Sequence, residues 1–210
     1  MPEVATIMDT LKSATAEQHQ AAERRRLQRD LVAGRISTRV YTDWLGQMLL
    51  LHGAVWDGVT GRRQDTPELR EVVRDEGRHV ANLRADLAAL GADPDAVTPL
   101  PATARAREAI ASAAAADPLT LLGYNYVLEG SMNGNRFIAR ALGRTLPAPA
   151  TAYLDPYGEE QRAVWAGYRE RMNAQTIEAA TADRVIAAAR AMFAFITALS
   201  DEVLGEPVGT

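Results

Sequence analysis

The chain has 210 residues, 47% of them hydrophobic, with 27 acidic against 23 basic side chains and a formal net charge of −4. That length and apolar content suit one domain around one core, and the acidic balance with scattered basic residues speaks against a nucleic-acid surface. Cysteine is absent, which excludes disulfides, thiolate-held zinc, iron–sulfur clusters and a cysteine nucleophile, so any metal must be held by His, Asp, Glu or Tyr.

Apolar residues recur three and four apart along almost the whole chain, and alternating runs rich in β-branched residues are missing; this predicts an all-α, single-domain helical bundle. The first helix is expected over 4–23, with Met8, Leu11 and His19 near one stripe, and a short piece through Leu27 and Leu31 stops at Gly34. Ser37 can cap the next helix, which carries Trp44, Leu45, Met48, Leu49, His52 and Trp56 before Gly61. Pro67 suits the first turn of a further helix, with Gly77 expected to break or bend it before a stretch from His79 to Leu90 that ends at Gly91.

Pro94, Pro99 and Pro101 make a loop, and an Ala-rich helix follows up to Asp117-Pro118. Leu119 to Leu142 forms the next helix, expected to be interrupted by glycines in its middle. A proline-containing connector from Pro147 to Tyr157 leads to two last helices, over about 159–173 and 181–204. The domain is placed at 1–205 and a flexible tail at 206–210. No apolar run approaches the roughly 20 residues needed to cross a bilayer, and the N-terminus has no basic region followed by an apolar stretch, so a cytoplasmic location is expected.

With three histidines and no cysteine, the question is which histidine sits in a constellation. Glu23 lies one helical turn beyond His19, and Lys12 two turns before it, so a cation, an imidazole and a carboxylate share a face. Such a face can hold an anionic ligand edge, a metal and an acceptor for the imidazole; the same spacing also describes a solvated amphipathic helix. His52, in Leu49-Leu50-Leu51-His52-Gly53, reads as a hydrogen-bonded core histidine, and His79 reads as a surface residue near a helix start. Glu76-Gly77-Arg78-His79 does match the Glu-x-x-His pattern of carboxylate-bridged di-iron bundles, although as a single copy with a glycine inside it.

The segment from Gly123 to Phe137 is the least explicable as plain core. Gly130 and Gly134 are one turn apart and leave one helix face bare, at about 1 kcal/mol per glycine relative to alanine. Either a second helix packs tightly there or a flat ligand lies on the backbone. The polar Ser131, Asn133 and Asn135 beside it favour the ligand, because buried polar groups need partners.

These residues resemble the heme oxygenases. Leu11-Lys12-Ser13-Ala14-Thr15 followed by His19 and Glu23 is similar to that family's signature Leu-Lys-x-Ala-Thr-x-x-x-His-x-x-x-Glu, whose histidine ligates heme iron on the proximal side. Tyr126-Val127-Leu128-Glu129-Gly130-Ser131 with Gly134 resembles the kinked distal helix of the bacterial Leu-Glu-Gly-Ser subgroup, and Asp86-Leu87-Ala88-Ala89-Leu90-Gly91 also resembles a stretch of those members. Tyr168-Arg169-Glu170-Arg171-Met172-Asn173 looks like the helix whose first arginine pairs with a heme propionate. By the same matching, Lys12 and Tyr124 occupy propionate-contacting positions.

The resemblance implies His19 as the iron ligand, with Lys12, Glu23, Tyr124 and Arg169 completing the heme-binding set. Heme b would be both cofactor and substrate, cleaved with O2 and electrons from an external reductase or ferredoxin to biliverdin, carbon monoxide and ferrous iron. Better-known members carry a distal Asp where this chain has Gly130, and Asn135 replaces the second glycine of the usual pair; Gly130, Ser131, Asn133, Gly134 and Asn135 are therefore the candidates for the distal catalytic face. Two alternatives share the scaffold: a non-heme di-iron oxygenase built from His19, Glu23, Glu76 and His79, and a heme carrier or sensor that never turns over.

Overall fold

A computed structural model describes residues 6–146 and 149–206. Within them the chain forms ten α-helices: α1 (Ile7–Ala14), α2 (Ala16–Glu23), α3 (Arg26–Val32), α4 (Thr38–Arg62), α5 (Pro67–Val72), α6 (Glu76–Ala89), α7 (Pro101–Ala116), α8 (Leu121–Leu142), α9 (Gln161–Asn173) and α10 (Ala179–Leu204). Short 3-10 turns at Pro118–Thr120 and Gly158–Glu160 lead into α8 and α9. No strand occurs among the described residues, so the all-α expectation holds. Residues 147 and 148 of the proline-containing connector, and 207–210 of the expected tail, lie outside the described residues.

The long helices α4, α8 and α10 form the frame. α10 packs along α8 and α7, while α4 packs against α6 and α7. Their inward faces supply Leu45, Leu51, Val55, Leu121, Leu122, Leu128, Met132, Val185 and Met192, all buried; each such side chain contributes roughly 1.5–3 kcal/mol relative to an exposed one. α8 and α10 approach closely at Gly123, where a Cβ would stand 2.0 Å from the Val185 carbonyl oxygen and 3.0 Å from the Ala189 nitrogen of α10. Only glycine fits there. Tyr41 of α4 ties down the connector by donating its hydroxyl to the Ala150 carbonyl at 2.8 Å.

Helix ends follow the expected chemistry. The Ser37 hydroxyl accepts from the Val40 N–H, Pro67 stands in the first turn of α5, and Gly34 and Gly91 adopt φ of +63° and +78° just past α3 and α6, a conformation that an L side chain resists.

Three expectations need correction. The first helix is not continuous: Thr15 leaves helical geometry (φ −111°, ψ 4°), and both its N–H and its hydroxyl turn to the Leu11 carbonyl, the latter at 2.7 Å. The break between α5 and α6 falls after Val72 and not at Gly77, which lies inside α6. Trp56 accounts for the glycine there, since a Cβ at Gly77 would approach its ring to 3.1 Å. Finally, α8 runs from Leu121 to Leu142 without interruption, so the glycines bare its surface but do not end it.

Candidate heme cleft and the buried network behind it

A cleft of about 860 Å³ opens between α1–α2 on one side and the middle of α8 on the other, closed at its ends by α4, α9 and α10. Met8, Val32, Trp44, Met48, Val127, Ile138, Phe193 and Ile196 give it an apolar interior, and its volume falls in the range of pre-formed small-molecule sites. The break at Thr15 lets α1 and α2 turn together along this opening.

Nine of the ten sequence candidates line it: Lys12, His19, Glu23, Gly130, Ser131, Asn133, Gly134, Asn135 and Arg169. His19 presents its Nδ1 to the Glu23 carboxylate at 3.6 Å and sets its ring edge-on to Phe193, with centroids 5.7 Å apart. The 3.6 Å separation of His19 and Glu23 is longer than a hydrogen bond, so the two exposed side chains form an electrostatic pair. Arg169 lies 3.8 Å from Asp9, which a hydrogen bond from the Thr6 hydroxyl holds below its ordinary value. Both partners are about half exposed, so the guanidinium can exchange Asp9 for another carboxylate at little expense.

Tyr124 is the exception. It is buried away from the cleft, and the tyrosine that lines the cleft is Tyr126. Two residues turn a helix by about 200°, so the two side chains leave opposite faces of α8. Tyr126 shares a row with Gly130 and Gly134, each four residues on, and that spacing was the available signal. Burial raises the Tyr126 phenol above its ordinary value, which keeps it a hydrogen-bond donor.

The glycines divide by role. At Gly134 a Cβ would meet nothing within 4 Å, and at Gly130 it would meet only the Trp165 ring at 3.4 Å, an ordinary contact. Tight helix packing therefore explains Gly123 and does not explain Gly130 or Gly134, whose bare backbone borders the cleft. Beside them, Asn133 donates to the Gly130 carbonyl at 3.0 Å and accepts from Gln161 at 3.2 Å. Asn135 is buried, its amide 3.5 Å from the Ser131 hydroxyl. Trp44 brings a buried indole N–H with no protein partner among the described residues to the same wall.

Glu76 and His79 do not join His19 and Glu23. Both are fully buried on α6, behind the cleft, and the expected surface position of His79 is corrected by its 0% exposure. Its α6 start is roofed by the connector: Tyr157 donates to Glu129 Oε1 at 2.9 Å and lies 3.2 Å from His79 Nε2, which itself contacts Glu129 Oε2 at 2.9 Å. A second pair joins His52 Nδ1 to Glu76 Oε1, with Asn125 donating to Glu76 Oε2 at 2.7 Å. His52 Nε2 then meets the Tyr153 hydroxyl at 3.0 Å.

Burial by itself would raise Glu76, but the charge and hydrogen bond of His52, with His79 and Asn125 behind, hold its carboxyl below the ordinary value. Burial would lower His79, and the Glu129 hydrogen bond together with the Glu76 charge outweighs this and raises it. Among the described residues no group of three or more His, Asp or Glu is placed to hold a metal ion. The di-iron ligand set is thereby corrected, because its members fall in two separate places and the two inner ones are already paired.

A sequence model of the heme oxygenase family matches residues 5–202. A heme oxygenase of Xanthomonas campestris pv. campestris (strain 8004) is 35% identical over 127 residues, 60% of this chain and 69% of that protein. Among solved structures, heme oxygenase-1 of the cyanobacterium Synechocystis sp. PCC6803 in complex with heme superposes with a TM-score of 0.85 at 21% identity, covering 96% of this chain and 93% of that one. The heme oxygenase of Leptospira interrogans gives 0.85 at 18% identity over 94% and 100%. With the family match spanning almost the whole chain, the chain belongs to the heme oxygenase family.

Proposed function

We propose that the chain is a cytoplasmic heme oxygenase that binds heme b through His19 and opens it to biliverdin, carbon monoxide and ferrous iron, using O2 and electrons from an external reductase or ferredoxin. The observation that carries this reading is the pairing of an imidazole on one wall with a bare backbone on the other. His19 with Glu23 faces an apolar slot whose opposite side is Gly134, where a methyl group would enter empty space. A planar group with a ligand-seeking metal fits that slot, and its two carboxylates find donors in Lys12, Arg169 and Tyr126 at the cleft's edge.

Bound heme supplies the iron that activates O2 and the porphyrin ring that is attacked. The protein's residues do the rest. An imidazole ligand from His19 would give the iron a weaker electron push than a thiolate, with Glu23 as the nearby carboxylate toward its other ring nitrogen. The Gly134 and Gly130 backbone crowds the far face without filling it. Ser131 and Asn135 offer polar atoms there. Among the described residues no helix is long and apolar enough to cross a membrane.

The test is to titrate the purified chain with heme and then add reductant under air with catalase present. The Soret band should disappear and a biliverdin absorption should rise in the red. A complex that keeps its Soret band, or stops at a stable oxygenated form, would be a carrier or sensor and would refute the oxygenase reading.

A further inference from the structure

The row of α8 that faces the cleft runs Tyr126, Gly130, Gly134, each one helical turn from the next, and its two glycines are not equally bare. The Trp165 indole of α9 lies over the first of them. A Cβ at Gly130 would meet that ring at 3.4 Å, whereas a Cβ at Gly134 would meet nothing within 4 Å. The same indole tilts against the Tyr126 ring, with centroids 6.3 Å apart. Trp165 therefore covers one full turn of the row and leaves the next open.

The indole is also braced. It stacks on Tyr168 with centroids 5.3 Å apart and planes 8° apart. Tyr168 is buried, and Arg171, which reaches the Val72 carbonyl at 3.4 Å, stands 6.0 Å from the Tyr168 centroid. Neither iron ligation nor the grip on carboxylates uses an aromatic wall at this place.

Resting on the heme oxygenase reading, we propose that Trp165 is a specificity-determining residue: it stops in-plane rotation of the tetrapyrrole and so selects which meso carbon lies over Gly134. A porphyrin is nearly square in outline, so its shape alone leaves several in-plane seatings of similar fit. The cations at the cleft edge grip its carboxylates loosely. Lys12 and Arg169 are long side chains, and Arg169 is half exposed, so both can follow a turning ring by changing rotamer. A second, fixed point is needed. Trp165 stands one turn before Arg169 on the same face of α9, and its ring cannot swing aside without leaving its stack on Tyr168. With the carboxylate edge held at Lys12 and Arg169, rotation toward Gly130 runs into the indole, and the open stretch at Gly134 receives one meso position.

Proton NMR of the cyanide-bound ferric complex tests this without turnover. An iron porphyrin that carries methyl groups in place of both vinyls is unchanged by a flip, so each extra set of porphyrin methyl signals reports a further in-plane seating. The wild-type chain should give one dominant set. Trp165→Ala should bring up a second, the ratio of major to minor seating falling about ten-fold, the scale of one lost aromatic contact. Affinity should stay within about three-fold of wild type, because His19 and the edge cations are untouched. Trp165→Phe keeps a ring on Tyr168 but reaches less far toward Gly130, and should lie between the two. With protoheme, reductant and air, the biliverdin isomers separated by chromatography should change in step with the signals. One methyl set in Trp165→Ala, or several in the wild-type chain, overturns the assignment even if heme is opened. A wild-type complex that holds one seating and never opens its ring places the failure in the oxygenase reading.

Discussion

Alanine at Gly134 and alanine at Gly123 should have opposite effects, although both stand in α8. At Gly134 a Cβ meets no atom within 4 Å, so the apoprotein gains only the helix-propensity difference of about 1 kcal/mol. For a chain of this size that should raise Tm by roughly 2–4 °C. The same methyl group projects into the slot where the heme plane and bound oxygen would lie, so turnover should fall by more than heme affinity, which still has His19 and the edge cations. At Gly123 the new atom would stand 2.0 Å from a backbone oxygen of α10, which cannot swing away as a side chain could. Overpacking there should outweigh the propensity gain and leave a net loss of roughly 3 kcal/mol, or a Tm fall of roughly 6–12 °C. Calorimetry of the apoproteins, heme titration and the rate of Soret loss measure the three quantities. A Gly134→Ala protein with wild-type turnover would refute the assignment of that glycine to the ligand, and a thermally neutral Gly123→Ala would refute the packing argument.

His19→Ala should abolish the histidine-ligated absorption spectrum of the heme complex, with added imidazole restoring it; loss of that spectrum in His52→Ala with an unchanged His19→Ala would sink the ligand assignment. Stability should also depend on pH in a defined sense. Glu76 is held below its ordinary 4.5, so its contribution is present above about that pH and disappears as pH falls through the lower folded value. His79 is raised above its ordinary 6.5, so its contribution is complete below about that pH and is lost as pH rises through the higher folded value. Urea midpoints of the apoprotein should therefore be highest between these two limits, and Glu129→Gln should flatten the alkaline decline; an unchanged alkaline decline in that variant contradicts the His79 argument.

Much of the fold was legible because helical periodicity, caps and stops are local. Ser37, Pro67, Gly34 and Gly91 act on their own turns, and the structure places their effects at the expected points. Where the reading erred, a distant contact decided. Gly77 makes room for Trp56 and does not break the helix; Trp56 lies about 20 positions away in sequence, where no local propensity can weigh it. Thr15 was read as part of a continuous helix, yet its hydroxyl competes with the backbone for the Leu11 carbonyl, the local weakness that Thr brings to helices. The same division holds at the site. The His19–Glu23 row and the Gly130–Gly134 row are helix-surface patterns and could be read. Tyr126 could also have been read, because it continues the glycine row, and Tyr124 was chosen instead by matching positions. Tyr153 and Tyr157 could not, since they arrive from a connector without periodicity.

The two buried pairs behind the cleft call for a reason beyond cohesion. Removing a carboxylate and an imidazole from water is expensive, and a buried ion pair seldom exceeds a well-packed apolar substitute in stability. The neighbours of these two pairs on α4, α6 and α8 include the buried Leu45, Leu51, Leu83, Leu121 and Leu128, so leucines could close the same space. The pairs are also arranged unequally. His79 and Glu129 are capped by Tyr157, over whose ring Arg78 lies at 5.4 Å, so that this half anchors the connector and α6 onto α8. His52 and Glu76 end instead at Tyr153, on the wall that faces the bare stretch of α8. Tyr153 in turn gives its backbone N–H to Asp86 at 2.8 Å and sets its ring against Trp44, so this half fixes where the connector lies along the cleft, a directional constraint that interchangeable leucines would not impose.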